Sequence, residues 1–542
     1  MPRISLPAQH GLATVLLVTL IFVLFSPILY APFWAVDEWE VLQFSSPELL
    51  HPQMNLNRQG MDSLDDYVRY IVNDFQTGGR FRPMWHLVRF AEAAFFGRNA
   101  AVWHAALLVM ASATAILVYA AGRVASMGWL SALLIPIWLI VATQANELWW
   151  RIGPNETSGL VFLALAVFAG VKAADHARPN RWDAVLLISL ILAGLSKESF
   201  ALAIPAILFG RVTLSAYRRN GSWREILRNV WWVLLIGLLT AAVCLLFVWL
   251  AGRHGGWGAD TVGLSIQSFM PWNWLDDLGM VAPLLVWFLP AFLAFVIAPN
   301  LPASGIAGPW VLAGFAAFAM WVVPQLILYS SAVFTGRFLY PMLGGAAALN
   351  GWGLAVLTRR RLWALTALAV IPTILVMGLQ ARDEYNEVGR LSAQSRAFDA
   401  MLESTLAAAD DRAIVIAADP ALYPEAVCAI PSLIGNKGAV NPLYFQPVQE
   451  SGDAIGEQFT GYLESCLGGE QYVTSANLTA DEVGAVILMS SREGFDAYAP
   501  GWYQVADWQL VNHTANFETI RLNASAPPVS VTFTSLEPTT GS

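Results

Sequence analysis

Long apolar segments alternate with short polar segments over the first two thirds of the chain. Most of the apolar segments are long enough to cross a hydrocarbon layer of about 30 Å. Windows of about 19 residues predict spans at 11–31, 101–121, 128–145, 158–174, 183–196, 199–213, 230–251, 278–298, 306–329, 339–357 and 362–381. The pattern therefore predicts a polytopic α-helical membrane protein with about 11 transmembrane helices.

The connection after the first span, residues 32–99, carries two amphipathic patterns. Apolar residues at helical spacing predict a helix over residues 63–75 that is capped by Asp62. A second helix is predicted to begin at Pro83, because proline is favoured at the first helical position. Its side chains expected to face lipid are Trp85, Leu87, Val88 and Phe90. We expect both helices to lie in the membrane interface, where a site for a lipid-linked substrate could form. Simple anchoring of the loop is the alternative.

The pattern changes at residue 382. Residues 382–542 contain 21 acidic and 7 basic residues, and their apolar runs are too short to span a membrane. Buried strands are predicted at 412–418 and 483–490, a helix at 424–434 and a late strand at 529–534. We therefore expect a transmembrane domain over 1–381 and a soluble, extracytoplasmic α/β domain over 382–542.

Composition agrees with a membrane protein and narrows the possible partners. Apolar residues make up 56% of the 542 positions and charged residues only 13%, about half of the ~25% that is usual in soluble domains. The net charge of -9 leaves no basic surface for nucleic acid. Of the three cysteines, Cys428 and Cys466 lie in the acidic C-terminal part, where a disulfide fits the sequence and two free thiols fit it nearly as well.

Lysine and arginine set the expected orientation. With a cytoplasmic N-terminus, most of the cations fall on the cytoplasmic side, as the positive-inside rule requires. Residues 32–99 and 382–542 then lie on the extracytoplasmic side. The alanine-rich composition favours a multi-pass protein of a bacterial inner (plasma) membrane, with its C-terminal domain periplasmic or extracellular.

Several charged residues lie at the outer ends of the predicted spans, where charge is costly unless it is solvated, paired or functional. Arginine and lysine bind phosphate oxygens and stabilise the charge that develops on a leaving phosphate. We therefore expect a phosphate site formed by Arg80, Arg82, Lys197 and Arg337. Further residues expected to contact substrate are Arg58, Arg151, Glu156, Glu198 and Tyr340. Asp37 and Glu38, at the outer end of the first span, are the candidate catalytic acids.

Taken in order along the chain, these motifs resemble the GT-C superfamily of glycosyltransferases. The motifs are Asp37-Glu38, the Arg82-Pro83 turn, Lys197-Glu198 and Arg337-x-x-Tyr340-Pro341. The chain is most similar to the protein O-mannosyltransferase and aminoarabinose-transferase branch, over about residues 1–360. It lacks the β-trefoil insertion of the eukaryotic mannosyltransferases.

The resemblance implies a polyprenyl-monophosphate sugar donor and an inverting transfer to an acceptor hydroxyl at the extracytoplasmic face. The acceptor is a protein, a lipid or a glycan. Asp37 matches the family's first-loop acid, the catalytic base, and Lys197 matches a lysine that binds the donor phosphate. Arg82 and Arg337 match more loosely.

No cofactor is expected, because the cationic residues can hold a leaving phosphate without a metal. The acids Asp37, Glu38 and Glu156 nevertheless leave a divalent cation as an alternative. Two other functions are also alternatives. A glycan polymerase or ligase with a diphosphate-linked donor would need more cations, and a secondary transporter would show inverted repeats. The sequence shows no such symmetry.

Overall fold

The structure is a computed structural model. It describes residues 6–33, 38–42, 44, 63–77, 80–142, 146–219, 222–252, 289–297, 316–321, 323–324, 340–359, 361–418, 424–447, 478–479, 481–488, 508–513, 517–518, 530–531 and 534–538. The helices up to residue 252 are α1 (Leu6–Phe25), α2 (Trp39–Leu42), α3 (Leu64–Thr77), α4 (Pro83–Phe96), α5 (Ala100–Val124), α6 (Trp129–Val141), α7 (Asn146–Trp150), α8 (Glu156–Ala173), α9 (Arg181–Gly194), α10 (Glu198–Arg219) and α11 (Trp223–Gly252). The later helices named here are α12 (Leu289–Ile297), α13 (Tyr340–Arg359), α14 (Trp363–Ala409) and α15 (Pro424–Asn436).

Within the described ranges, six helical segments are long and apolar enough to cross a membrane. They are Pro7–Tyr30, Ala100–Val124, Glu156–Ala173, Glu198–Arg219, Trp223–Ala251 and Trp363–Ala409. The expected count of about 11 is therefore not confirmed. Helices α6 and α9 have 13 and 14 residues, fewer than the roughly 20 that a perpendicular crossing needs. Most of residues 253–339 lie outside the described residues.

The bundle helices pack against one another in pairs. Helix α8 contacts both α5 and α9, and α10 contacts α11. Their apolar side chains share one large core with α1 and α6. A capping box at Asn180 and Asp183 begins α9. This core holds the N-termini of α8 and α10 side by side.

Both amphipathic helices predicted in the first long loop are present, as α3 and α4. The cap of α3 is Ser63 rather than Asp62, because the Ser63 hydroxyl accepts the Asp66 backbone N–H. An apolar stripe of α3 is exposed at Leu64, Val68 and Val72.

The expectation that Trp85 of α4 faces lipid is wrong. Its indole is buried between Phe44 and His86, with ring centroids at 5.8 and 4.7 Å. The guanidinium of Arg82 lies 5.2 Å from the indole centroid. Helix α4 packs against α2, α3, α5 and α8, so its larger apolar face is covered by protein. Leu87, on another side of the helix, is exposed as predicted.

The C-terminal part contains a mixed sheet entered from the long helix α14. Its strands are β1 (Ala413–Ala418), β2 (Leu443–Pro447), β3 (Val483–Leu488), β4 (Trp508–His513) and β7 (Thr534–Pro538), in the order β2-β1-β3-β7-β4. Strand β1 is parallel to β2 and β3, whereas β7 is antiparallel to β3 and β4. The late strand predicted at 529–534 is divided between β6 (Ser530–Val531), which pairs with β5 (Phe517–Glu518), and β7. Helix α14 continues through residues 381 and 382 without a break.

The sheet and the first long loop share one apolar core. Phe44 and Trp85 of the loop belong to the same buried cluster as Ile430, Phe445 and Ile487 of the C-terminal part. The Arg98 guanidinium also donates to the Asn436 carbonyl at 2.9 Å. The two regions therefore lie on the same side of the bundle. That this side is extracytoplasmic stays a prediction.

Candidate functional site

The turn that begins α4 is fixed against the turn that begins α10. The backbone N–H of Met84 donates to the Leu195 carbonyl at 3.0 Å. The Tyr67 hydroxyl of α3 donates to the Pro83 carbonyl at 2.6 Å. Phe81 stacks on Phe247 of α11, with ring centroids 4.5 Å apart. These contacts bring the Arg80-Phe81-Arg82 segment next to Ser196-Lys197-Glu198.

Lys197 is paired with Glu156 inside the bundle. Its ammonium forms a hydrogen-bonded ion pair with the Glu156 carboxylate, and both side chains are 1% exposed. A Cβ at Gly159, one turn after Glu156, would lie 2.2 Å from the Phe200 ring and 3.1 Å from Ser196 Cβ. Helix α8 can therefore approach the 196–200 segment this closely only because residue 159 is glycine.

Glu198 lies among the cations of both turns. Its carboxylate interacts electrostatically with Lys197, Arg80 and Arg82. Three of the four residues expected to bind phosphate therefore converge on one carboxylate at the N-terminal ends of α4 and α10. The adjacency of Lys197 and Glu198 alone could not show this, because the two arginines come from a different loop. We call Arg80, Arg82, Lys197, Glu156 and Glu198 the cationic cluster.

Asp74 of α3 completes the surroundings of Arg82. Its Oδ2 lies 3.6 Å from Arg82 Nη2 and accepts a hydrogen bond from His86 Nε2 at 3.0 Å. Burial alone would raise the pKa of the Asp74 carboxyl. The Arg82 and Arg80 charges and the His86 hydrogen bond outweigh burial and lower the pKa to about 2. Burial also lowers the pKa of His86, against the opposing effect of Asp74, so its imidazole is neutral at pH 7.

Glu38 links the end of the first span to the start of α8. Its Oε1 accepts the backbone N–H of Ile152 at 3.2 Å, and its side chain is buried. Arg151, the neighbouring residue, is also buried, with its guanidinium 5.0 Å from the Trp150 ring centroid. Glu38 is thereby tied to a backbone position four residues before Glu156.

The remaining expected site residues stay predictions. Asp37, Arg58 and Arg337 lie outside the described residues. Tyr340 begins α13, but its side chain also lies outside them. Asp74 and His86 are the polar residues at this site that the sequence interpretation missed. The available signal for Asp74 was its helical spacing from Tyr67 and Ile71, which places a carboxylate beside the apolar stripe of the predicted helix.

Three carboxylates surround the three cations of the cationic cluster. Within the part of the chain that the structure describes, the positive groups Arg80, Arg82 and Lys197 face the carboxylates of Asp74, Glu156 and Glu198. Hydrogen-bonded carboxylates hold cationic side chains in place, and a water-poor setting strengthens their interaction with an anion. In the same described ranges, no group of three or more His, Cys, Asp or Glu side chains is placed to hold a metal ion.

Comparison with known proteins finds similarity only at the level of three-dimensional structure. No protein-family model matches the chain, and no curated protein sequence matches it. A crystal structure of ArnT from Cupriavidus metallidurans bound to undecaprenyl phosphate is similar, with 12% identity and a TM-score of 0.48. The alignment covers 97% of this chain and 98% of that one. The apo state of the same protein gives 12% identity and a TM-score of 0.47 over the same coverage.

A third similar structure is the oligosaccharyltransferase of Archaeoglobus fulgidus, tethered to an acceptor peptide containing an NVT sequon. It has 11% identity and a TM-score of 0.40, over 88% of this chain and 68% of that one. These structural neighbours are GT-C glycosyltransferases, the superfamily that the sequence motifs resemble.

Proposed function

We propose that this protein is a membrane glycosyltransferase that uses a polyprenyl-monophosphate sugar donor. It transfers the sugar, with inversion, to an acceptor hydroxyl at the extracytoplasmic face. The observation that carries the proposal is the cationic cluster, in which residues of two separate turns converge at the N-terminal ends of α4 and α10. The carboxylates of the cluster hold two arginines and a lysine at the expected membrane boundary. An anionic lipid headgroup lies at the same depth.

The donor phosphate would bind to Arg80, Arg82 and Lys197, with Arg337 as a further expected cation. Arginine offers a planar fork that matches phosphate oxygens, and lysine offers a point charge. With Arg337, the four cations exceed the three carboxylates of Asp74, Glu156 and Glu198 by one charge, so the site neutralises one phosphate more readily than two. This charge balance favours a monophosphate donor over a diphosphate-linked donor.

The reaction is a single displacement. The acceptor oxygen attacks the anomeric carbon, and the bond from that carbon to the phosphate oxygen breaks on the opposite side. The hydroxyl proton goes to the Asp37 carboxylate, and the bonding electron pair leaves with the polyprenyl phosphate, whose charge the cations stabilise. Glu38 is hydrogen-bonded to Ile152, so we assign it to holding the acidic segment near α8.

The test is a transfer assay with purified protein in lipid nanodiscs. A radiolabelled sugar on a polyprenyl monophosphate is supplied, and loss of the labelled lipid and release of polyprenyl phosphate are measured. Asp37→Asn should lower the rate by about 10²- to 10⁴-fold without loss of folding, because a positioned base is removed. Glu38→Gln keeps an oxygen that can accept the Ile152 N–H and should lose less. Asp65→Asn, on the exposed face of α3, is the matched control.

Full activity of Asp37→Asn would refute its role as the base. Loss of activity in Glu38→Gln alone would move that role to Glu38. If the wild-type protein consumes only diphosphate-linked sugars, the proposed donor class is wrong.

A further inference from the structure

Three phenylalanine rings lie directly beside the arginines of the cationic cluster. Phe81 stands between Arg80 and Arg82 in the chain and stacks on Phe247 of α11, with ring centroids 4.5 Å apart and ring planes 19° apart. Phe75 of α3 meets both rings edge-on, at centroid distances of 6.2 and 6.4 Å. We call Phe75, Phe81 and Phe247 the aromatic cluster. A lipid phosphate bound by the two arginines would therefore have apolar ring surface next to it.

The aromatic cluster has surface that a lipid chain can reach. Phe247 is 37% exposed, and the other two rings are half-buried, as are both arginines. Val72 on α3 and Val243 on α11, each about one turn before a ring of the cluster, are exposed as well. Helix α11 is long and apolar enough to cross a membrane. An apolar surface therefore leads from the side of α11 expected to face lipid to the cations.

Two exposed tryptophans of α11 mark the depth of the cluster. Trp231 and Trp249 are both exposed, and tryptophan is enriched at the two interfaces of a bilayer. The 18 residues that separate them span about 27 Å, close to the ~30 Å of the hydrocarbon layer. Phe247 precedes Trp249 by two residues, so its ring lies just inside one boundary. The first carbons of a lipid chain lie at this depth, immediately below the phosphate.

Cations alone do not distinguish one lipid phosphate from another. The groups that follow the phosphate do differ between lipid classes. In a polyprenyl phosphate, an isoprene unit of carbon and hydrogen follows at once. In a glycerophospholipid, glycerol and its ester groups come first. A phenylalanine ring offers no conventional hydrogen bond, and a polar group that loses water without gaining a partner is costly.

We propose that the aromatic cluster selects the lipid by the group next to its phosphate. It contacts the first isoprene unit of the polyprenyl donor and disfavours glycerophospholipids, whose ester oxygens would lie against rings that cannot donate to them. Specificity arises here from a cost imposed on the wrong lipid as well as from contact with the right one. The proposal rests on the proposed transferase function, because it concerns the donor of that reaction.

A competition between two lipid monophosphates tests the selection without a transfer reaction. Purified full-length protein in mild detergent is incubated with an equimolar mixture of polyprenyl phosphate and dioleoyl phosphatidic acid. Native mass spectrometry then measures the ratio of the two bound lipids. We expect the wild-type protein to bind polyprenyl phosphate in excess. Phe247→Gln places an amide beside the cations that can donate to an ester oxygen, so this ratio should fall about tenfold.

Two control variants separate the proposed role from a general effect on the helix. Phe247→Leu keeps an apolar side chain and should retain the preference. Leu246→Gln introduces the same amide at nearly the same depth, at an exposed position about 100° around α11, and should also retain it. Melting temperatures show whether each variant is folded. If Phe247→Gln does not fold, Phe247→Ala, which removes the ring, should lower the ratio in its place.

The outcomes distinguish this proposal from the proposed function. Equal binding of the two lipids by the wild-type protein would overturn the selection, and so would an unchanged ratio in the folded Phe247 variant. If the wild-type protein transfers sugar from a polyprenyl donor while that ratio is unchanged, only the role of the aromatic cluster is wrong. If it prefers polyprenyl phosphate and Phe247→Gln loses the preference, but no sugar is transferred, the selection stands and the proposed function fails.

Discussion

Gly159→Ala is the substitution that most directly tests how the cationic cluster is held. The added Cβ would lie 2.2 Å from Phe200 Cε2 and 2.6 Å from Phe200 Cδ2. Ordinary carbon contacts begin near ~3.5 Å, so the two groups must separate by about 1.3 Å. Phe200 is fully buried and cannot turn its ring into free space. The separation must therefore move α8 relative to the 196–200 segment, and with it Glu156 relative to Lys197.

The expected effect on activity is larger than the effect on stability. Overpacking costs about 1–3 kcal/mol, and alanine returns roughly 1 kcal/mol of helix propensity, so the folded state loses about 0–2 kcal/mol. A displacement of about 1 Å at a reacting group can cost ~10²-fold in rate, which is about 2.7 kcal/mol of barrier. The variant should thus remain folded while its kcat/KM for the donor falls about 100-fold.

The assay measures the release of polyprenyl phosphate at several donor concentrations, together with thermal unfolding of the same preparations. Gly11→Ala is the matched control, because it makes the same helical substitution in open space on α1. Wild-type kinetics in Gly159→Ala would refute the reasoning that this glycine positions the Lys197–Glu156 pair. A parallel loss in the control would refute it as well.

Three further predictions concern the buried charges. Asp74→Asn removes the carboxylate that holds Arg82 in place, so the donor KM should rise about tenfold. A donor titration measures this rise, and a loss confined to kcat would contradict it. Burial lowers the pKa of His86 in the folded protein. As the pH decreases through about 6.5, the imidazole therefore takes up a proton in the unfolded chain before it does so in the folded protein. The stability of the folded protein should fall over the same range. Melting temperatures between pH 5 and 8 should therefore depend less on pH in His86→Gln, and equal slopes would exclude His86 as the cause. Lys197→Met leaves Glu156 buried without its ammonium partner and should cost about 3–5 kcal/mol of stability. The double variant Lys197→Met/Glu156→Gln should recover much of this loss. Chemical unfolding measures both, and a double variant no more stable than the single one would contradict the prediction.

Local patterns in the sequence were sufficient to predict α3 and α4. The helical spacing of Tyr67 and Phe75 predicts α3, and the proline at position 83 predicts the start of α4. Both signals depend only on residues within the same helix. The buried position of Trp85 could not be predicted in this way. Hydrophobic periodicity shows that a helix has an apolar face, but does not distinguish a face covered by protein from one covered by lipid.

The ion-pair and hydrogen-bond partners of the site residues could not be predicted from the sequence for a related reason. Lys197 and Glu156 are 41 residues apart, and Asp74 and His86 lie on different helices. Their pairing depends on helix packing, including the close approach at Gly159, and no local pattern encodes it. The cost of charge at a membrane boundary did identify Arg82 and Lys197 as residues that need partners. Their convergence on Glu198 came from the fold.

A movement of the long helix α14 is transmitted directly to the C-terminal sheet. With 47 residues it is about 70 Å long, and its far end leads directly into β1. Pro372 lies in its third turn, and the 37 residues that follow span about 56 Å, so a tilt of 5° in this part displaces the far end by about 5 Å. Because the sheet shares its core with the loop that carries Arg82, changes in bilayer thickness that tilt α14 would strain that shared core.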